Sequence, residues 1–143
     1  MIQIPASVRA IGESAFLSCS SLATVHLPPG LTEIDTFAFY QCRSLTTITI
    51  PTQVTRIGMH AFSGCSNLLA IDLPSTVAFV NRQAFSDCTR LVVFTARSPV
   101  AEFVDQTFVN CHRLQYAVVP ALLGDPDRHF IDTPVIDRGG PVD

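Results

Sequence analysis

A repeat of 23 residues constrains the fold of this chain more than any other feature of its sequence. The stretch from Leu45 to Leu68, LTTITIPTQVTRIGMHAFSGCSNL, recurs with small changes from Ile2 to Pro120. A fixed period of about 20 to 50 residues is typical of a solenoid, in which each unit buries its apolar face only against its neighbours. The aligned copies share three constant columns: Phe16, Phe39, Phe62, Phe85 and Phe108; Cys19, Cys42, Cys65, Cys88 and Cys111; Leu22, Leu45, Leu68, Leu91 and Leu114.

The spacing of apolar residues changes twice within each unit. Isoleucine and threonine alternate from Thr46 to Ile50, which predicts a half-buried strand, and Pro51 has no N–H with which to continue a ladder. Val54 and Ile57 then indicate a short extended connector with two inward anchors. Residues 61, 62, 65 and 68 are apolar with the spacing of one helix face. The residues predicted to cap the helices are Gly12, Asp35, Gly58 and Asn81.

Stacked units place the strands side by side in a parallel sheet and the helices on the opposite side. Parallel crossover connections are almost always right-handed, so a right-handed coil is expected. Packed helices lie about 8–10 Å apart and strands about 4.8 Å apart, so the sheet should be concave and the short helices convex. Besides the three columns, the predicted interior rows are Val25, Ile48, Ile71 and Phe94; Leu27, Ile50, Leu73 and Ala96; Ile11, Ile34, Ile57, Val80 and Phe103.

The pattern LxxIxIPxxVxxIGxxAFxxCxx, as it stands from Leu45 to Asn67, resembles the leucine-rich repeat of the BspA type. The resemblance covers five repeats. It implies an α/β solenoid, a curved leucine-rich-repeat coil used to recognise proteins or cell surfaces, without catalytic residues or a cofactor. It also allows a location at the cell surface or outside the cell.

Two regions are expected along the chain: a leucine-rich-repeat domain of five repeats over 1–120, and a segment over 121–143 rich in Pro, Gly and Asp. The last repeat departs from the pattern, with Arg97 in place of proline and Val104 in place of glycine, as terminal repeats often do. Residues 121–143 fit either a loose tail or a rudimentary cap. The side chains available to a cap are Leu122, Leu123, Phe130 and Ile131.

The five cysteines are predicted to be buried free thiols that behave as small apolar residues. A zinc site needs ligands that converge on one point, whereas these residues form a line along the coil. On helices about 8–10 Å apart, adjacent cysteines would lie beyond the roughly 7 Å that a disulfide spans. Reduced thiols lean weakly toward a reducing compartment, the cytoplasm.

Composition and spacing argue against several other classes of function. Up to Pro120 seven acidic residues balance seven arginines, so there is no basic surface for nucleic acid. No apolar run approaches the roughly 18 residues of a membrane span, and the first residues do not resemble a signal peptide. The four histidines occupy different places in the unit, which argues against a metal site. No nucleophile, base and carboxylate occur in a catalytic arrangement.

The residue types at the outward positions of the strands vary from repeat to repeat, whereas those at the inward positions stay apolar. This contrast indicates a candidate binding face. A solvated sheet surface without a ligand explains the same variation. We predict a non-enzymatic scaffold that binds another protein or a cell surface; the alternative is a structural spacer within a longer repeat protein. A second candidate surface is the cluster Leu17, Phe37 and Tyr40. The predicted partner-binding residues are Thr24, His26, Thr47, Thr49, Ala70, Asp72, Val93, Thr95 and Tyr116.

Overall fold

The computed structural model describes residues 1–96, 102–119 and 126–133, which form a β-solenoid of about five turns. Arg97, Pro120, Leu122 and Leu123 lie outside these residues, so the predicted domain boundary at 120 stays a prediction. The strands are β1 (Ile2–Gln3), β2 (Ala10–Ile11), β3 (Val25–His26), β4 (Glu33–Ile34), β5 (Arg56–Ile57), β6 (Ala70–Leu73), β7 (Phe79–Val80), β8 (Val93–Ala96), β9 (Glu102–Phe103) and β10 (Tyr116–Val118). A short helix, α1 (Pro126–His129), follows.

The predicted parallel sheet is present in two parts. β1 pairs with β3 at one end, and β6, β8 and β10 pair in order at the other. Each pairing joins residues 23 positions apart, so that Ile71 lies opposite Phe94 and Phe94 opposite Ala117. The period of the sequence is therefore the register of the sheet.

A second parallel sheet lies where the sequence predicts a connector. Its five strands are β2, β4, β5, β7 and β9, in that order. In each of them the second residue is buried, as Ile34 and Ile57 are, while Glu33 and Arg56 face outward and form an ion pair of 3.7 Å. Strands of two residues are too short to show the alternation that identifies a strand in sequence, which explains why only an extended segment was predicted.

The third side of the coil is not helical among the described residues, and the prediction of convex helices is wrong there. In an α-helix each amide donates to the carbonyl four residues earlier. Here the amides of Phe37, Phe39 and Gln41 donate instead to carbonyls of the next turn, 22 residues ahead, at 2.8–2.9 Å. The alternate amides of Ala38, Tyr40 and Cys42 donate to carbonyls three residues earlier. The segment is a run of tight turns stacked on its neighbours.

The backbone angles of this side exclude a helix for a local reason. Two residues in each turn have positive φ, which interrupts right-handed helical geometry. The glycine before the segment has a different role, because a Cβ at Gly58 would lie 2.4 Å from the backbone nitrogen of Thr36. The positive-φ residues of these turns are Ser14, Ser18, Phe37, Gln41, His60, Gly64, Gln83, Asp87, Gln106 and Asn110.

Stacked turns need less room than helices. Consecutive phenylalanine rings from Phe16 to Phe85 are stacked with centroids 5.2–5.3 Å apart, which is close to the strand spacing of about 4.8 Å. A concave sheet was predicted because helices would be spaced more widely than strands. The observed difference in spacing between the two sides is smaller than expected. The same close spacing removes the distance argument against disulfides, yet all five cysteines are free.

The predicted interior rows are confirmed, with burial that weakens toward the first turn. Phe39, Phe62, Phe85 and Phe108 are fully buried, whereas Phe16 is only partly buried. Leu27 is also partly buried. The remaining predicted rows are buried throughout: Val25, Ile48, Ile71 and Phe94; Ile50, Leu73 and Ala96; Ile11, Ile34, Ile57, Val80 and Phe103.

The cysteine column is buried and also hydrogen-bonded. The Sγ atoms of Cys42, Cys65, Cys88 and Cys111 lie 3.1–3.3 Å from the carbonyl oxygen of the phenylalanine 26 residues earlier. Each thiol thus donates weakly to the turn before it, while Cys19 is half-buried. Burial raises the pKa of Cys42 from its ordinary value of 9.0 to about 11 and that of Cys111 to about 12. These thiols are structural groups with little thiolate character.

Residues 126–133 pack on the last repeat. The ring of Phe130 stacks on that of Phe108 at 5.2 Å and is buried. The amides of Phe108 and Asn110 donate to the carbonyls of His129 and Ile131 at 2.9 and 3.0 Å, as the amides of earlier turns do to the next turn. Phe130 therefore continues the phenylalanine column, with a spacing of 22 residues.

Candidate binding face

The outward side of the first sheet, called the strand face below, carries all nine predicted binding residues. Five of them lie on the paired strands β6, β8 and β10, and four lie nearer the first turn. The exposed ones are His26, Thr47, Thr49, Ala70, Asp72 and Tyr116; the half-buried ones are Thr24, Val93 and Thr95.

The paired part of the strand face is a rigid surface with an apolar end. Tyr116 lies opposite Val93, and Val93 lies opposite Ala70, in one row across three strands. In the adjacent row Thr95 donates a short hydrogen bond from its hydroxyl to the carboxylate of Asp72. Tyr116 is 39% exposed, so an aromatic side chain is available there beside a fixed polar pair.

The middle of the strand face differs from both ends. Within the described chain, the backbone N–H and C=O groups of residues 47–50 make no hydrogen bond to either neighbouring turn, although the side chains of Ile48 and Ile50 remain buried. Bonds resume on both sides, from the amide of Thr46 to the carbonyl of Ala23 at 3.4 Å and from Thr55 to Thr32 at 2.9 Å. Residues 47–50 of the predicted strand are thus unpaired, although exposed and buried side chains still alternate along them.

Two open grooves flank this unpaired segment. The first has a volume of about 510 Å³ and is bordered by hydroxyls of Thr24, Thr47, Thr49 and Thr52 and by the ring of His26. The second, of about 470 Å³, shares Thr49 and Thr52 with the first and reaches Asp72. No arginine or glutamate of the described ranges lines either groove. Together they form a hydroxyl-rich surface with little charge.

A separate aromatic group lies on the turn side. Phe37 stacks on His60 with centroids 5.1 Å apart and meets Tyr40 edge-on at 5.3 Å. The Nδ1 atom of His60 is buried without a hydrogen-bond partner. Desolvation lowers the pKa of His60, and the nearby Arg82 charge adds to this effect. Leu17, one turn earlier, is 46% exposed.

The described residues bring together no group of three or more His, Cys, Asp or Glu side chains that could hold a metal ion. No helix in the described ranges has both the length and the apolar character to cross a membrane.

The sequence predicted the outward rows but missed the unpaired segment and its grooves, including Thr52 and Pro29. No signal in the sequence distinguishes this strand, because its alternating threonines and isoleucines form the most regular strand pattern in the chain. His60 was also missed as a partner of Phe37. The 23-residue spacing between the two positions was available as a signal for that contact.

Two solved structures resemble this chain in sequence and fold. A leucine-rich repeat protein from Bacteroides ovatus superposes with a TM-score of 0.71 at 30% identity, over 82% of this chain and 30% of its own. A leucine-rich repeat protein of T. pallidum superposes with a TM-score of 0.59 at 31% identity, over 78% of this chain and 63% of its own. This chain thus spans less than two thirds of the length of either.

A third structure shares the fold alone. A leucine rich cell surface protein from Faecalibacterium prausnitzii superposes with a TM-score of 0.50 at 22% identity, over 95% of this chain and 58% of its own. No curated protein matches the sequence significantly. The model of the BspA type leucine rich repeat region matches residues 1–115 in six copies. With 23-residue register, stacked phenylalanines and hydrogen-bonded cysteines, the chain belongs to the BspA-type leucine-rich-repeat family.

Proposed function

We propose that this chain is a non-enzymatic recognition scaffold that binds another protein or a cell surface through the strand face. The observation that supports this proposal is the contrast between the two sides of each strand in β6, β8 and β10. Inward side chains are uniformly buried, while the outward row runs from the exposed Ala70 through the half-buried Val93 to the exposed Tyr116. A right-handed coil and a concave strand face stay predictions within this proposal.

The physical argument is that the strand face is already ordered. The paired strands are fixed by hydrogen bonds and by the core beneath them, so little conformational entropy is lost on binding. Tyrosine is a frequent binding hot spot, and Tyr116 is exposed beside the apolar Val93. Asp72, held by Thr95, supplies a polar contact next to this apolar patch.

The test is a pull-down from the source cell with matched variants. Tyr116→Ala combined with Asp72→Ala should remove the captured partner, since loss of a single hot spot costs about 2 kcal/mol or more. Arg43→Ala is the control, because the Arg43 side chain is exposed on the turn side, where its Nε atom donates to the side-chain oxygen of Gln41. Thermal melting of each variant checks that the fold is intact.

The outcomes separate the proposal from its alternative. Loss of the partner only with Arg43→Ala would place the site on the turn side. A partner that survives both sets of substitutions would place the site away from the strand face, whereas no partner at all would favour a structural spacer within a longer repeat protein. The family supplies the scaffold in each case, since the relatives described above are longer repeat proteins.

A further inference from the structure

The unpaired backbone between Thr46 and Ile50 is the most unusual feature of the strand face. A backbone N–H or C=O that lacks a partner and is removed from water costs about 1–3 kcal/mol. In the described chain, the groups of residues 47–50 have no partner in either neighbouring turn. They must therefore be satisfied by water that enters the two flanking grooves. A ligand that displaces this water has to supply a hydrogen-bond acceptor for each of these N–H groups and a donor for each of these C=O groups.

The side chains around the grooves also need hydrogen-bond partners from water or from a ligand. The hydroxyls of Thr24, Thr47, Thr49 and Thr52 border them, and none of these hydroxyls has a partner among the described residues. Each hydroxyl donates one hydrogen bond and accepts up to two. These hydroxyls and the backbone groups are neutral donors and acceptors, and they are numerous around the grooves.

Charge narrows the class of ligand. Within the part of the chain that the structure describes, the titratable groups that border the grooves are His26 in the first and Asp72 in the second, and Asp72 accepts a hydrogen bond from Thr95. Among the described residues no arginine lines either groove, so a phosphate, a sulfate or an acidic glycan would find no cation to pair with in this part of the chain. The site suits a ligand without charge.

The width of the grooves restricts the class of ligand further. The neighbouring turns remain tied above and below the opening, by Thr46 to Ala23 at 3.4 Å and by Thr55 to Thr32 at 2.9 Å. A peptide strand inserted here would have to force two turns apart to about twice the strand spacing of about 4.8 Å. Ligand hydroxyl groups can reach the unpaired backbone from the open side without such a movement.

We infer that the grooves on either side of Thr46–Ile50 bind a neutral carbohydrate, a chain of sugars lying across the strands. Its hydroxyls replace the water on residues 47–50 and bond the threonine hydroxyls. The rings of Pro29 and Pro51 in the first groove contact the less polar faces of the sugars. This inference rests on the proposed function, because it names the chemistry that the strand face recognises on a cell surface.

The test is calorimetric titration of the whole chain with cellohexaose, maltohexaose and mannohexaose, and with a heparin-derived hexasaccharide as the anionic probe. At least one neutral hexamer should bind, and the anionic probe should not. Thr47→Val with Thr49→Val should weaken that binding about tenfold or more, since each substitution removes a neutral hydrogen bond. Both substitutions are compatible with the fold, because Val93 and Val118 occupy the same positions in later turns.

Thr46→Val is the matched control. Thr46 lies in the same segment but lines neither groove, and Val92 is its counterpart in a later turn. Its affinity for the sugar should equal that of the unsubstituted chain. Equal loss with Thr46→Val, no loss with Thr47→Val/Thr49→Val, preference for the anionic probe, or no binding of any neutral hexamer would each overturn the inference.

The pull-down and the sugar titration distinguish failure of the proposed function from failure of the carbohydrate inference. A partner captured from the source cell that depends on Tyr116 and Asp72, together with no sugar binding, would leave the recognition function standing and remove the carbohydrate. Sugar binding that depends on Thr47 and Thr49, with no effect of Tyr116→Ala, would support the carbohydrate and move recognition away from the apolar end of the strand face.

Discussion

The two ends of the coil are built from the same repeat but are buried to different extents. At the carboxyl end Phe108 is fully buried, because residues 126–133 place Phe130 on its ring at 5.2 Å. In the first turn Phe16 is covered by Phe39 on one side only and is partly buried. The comparison teaches that a ring of the phenylalanine column is fully buried only where a further ring covers each of its two faces.

Truncation of the phenylalanine column should show this difference most strongly. Phe62→Ala should lower the free energy of unfolding by about 3–5 kcal/mol, because it leaves a cavity between two stacked rings. Phe16→Ala should cost roughly half as much, since part of that ring is already in water. Phe108→Ala should resemble Phe62→Ala. Urea unfolding of the three variants measures the losses, and equal losses at Phe16 and Phe62 would contradict the comparison.

A smaller effect is expected from the residues that cover the carboxyl end. Phe130→Ala should cost about 2–3 kcal/mol, less than a central ring because Phe130 stacks on one phenylalanine. Amide exchange should accelerate at Phe108 and Asn110, whose N–H groups donate to residues 129 and 131. The amide of Phe62 serves as the internal control, because the rings of Phe85 and Phe108 lie between Phe62 and Phe130. Unchanged exchange at Phe108 would mean that residues 126–133 do not cover the last repeat.

The cysteines provide the mildest comparison of the two ends. At pH 8 a thiol reagent should modify Cys19 first, because it is half-buried, and should reach Cys42, Cys65, Cys88 and Cys111 only after unfolding. Mass spectrometry of the modified chain distinguishes the sites. Labelling of a central cysteine as fast as Cys19 would argue against the buried column.

The same thiols make stability depend on pH at the alkaline end. The pKa of Cys42 is about 11 in the folded chain against an ordinary value of 9.0. Between these values the unfolded chain has lost the thiol proton and the folded chain has kept it, so unfolding becomes more favourable as pH rises. We expect the stability to be constant below about pH 8.5 and to fall up to about pH 11. Cys42→Ala should reduce that slope, as followed by urea unfolding at each pH, and an unchanged slope would contradict this assignment.

Much of the interior followed from the sequence for a simple reason. Phe62, Cys65 and Leu68 recur at a fixed spacing, and a constant column under a linear stack can only be the buried one. The outward rows were predictable because strand residues that do not belong to a buried row must face outward. Tyr116 and Asp72 were assigned to the strand face in this way. The partly buried Phe16 was not predicted, since its column does not reveal how many neighbours it has.

The helices were the principal error, and the reason is local. Residues 61, 62, 65 and 68 have helical spacing, but the same spacing suits a run of turns that points every third or fourth side chain inward. Positive φ at Phe37 and Gln41 was not predictable, because neither residue type favours that region. Lateral hydrogen bonds to the next turn compensate for the cost of these angles.

The sequence by itself determined the period, the family, the buried columns and the side of each strand that faces outward, since all of these depend on apolar residues recurring at equal intervals. Only the tertiary structure decided that three sides of the coil hydrogen-bond between turns, that the cysteine thiols donate to phenylalanine carbonyls, and that residues 47–50 stay unpaired. These features depend on distances between turns. Such distances are set when all turns stack together, and no single repeat encodes them.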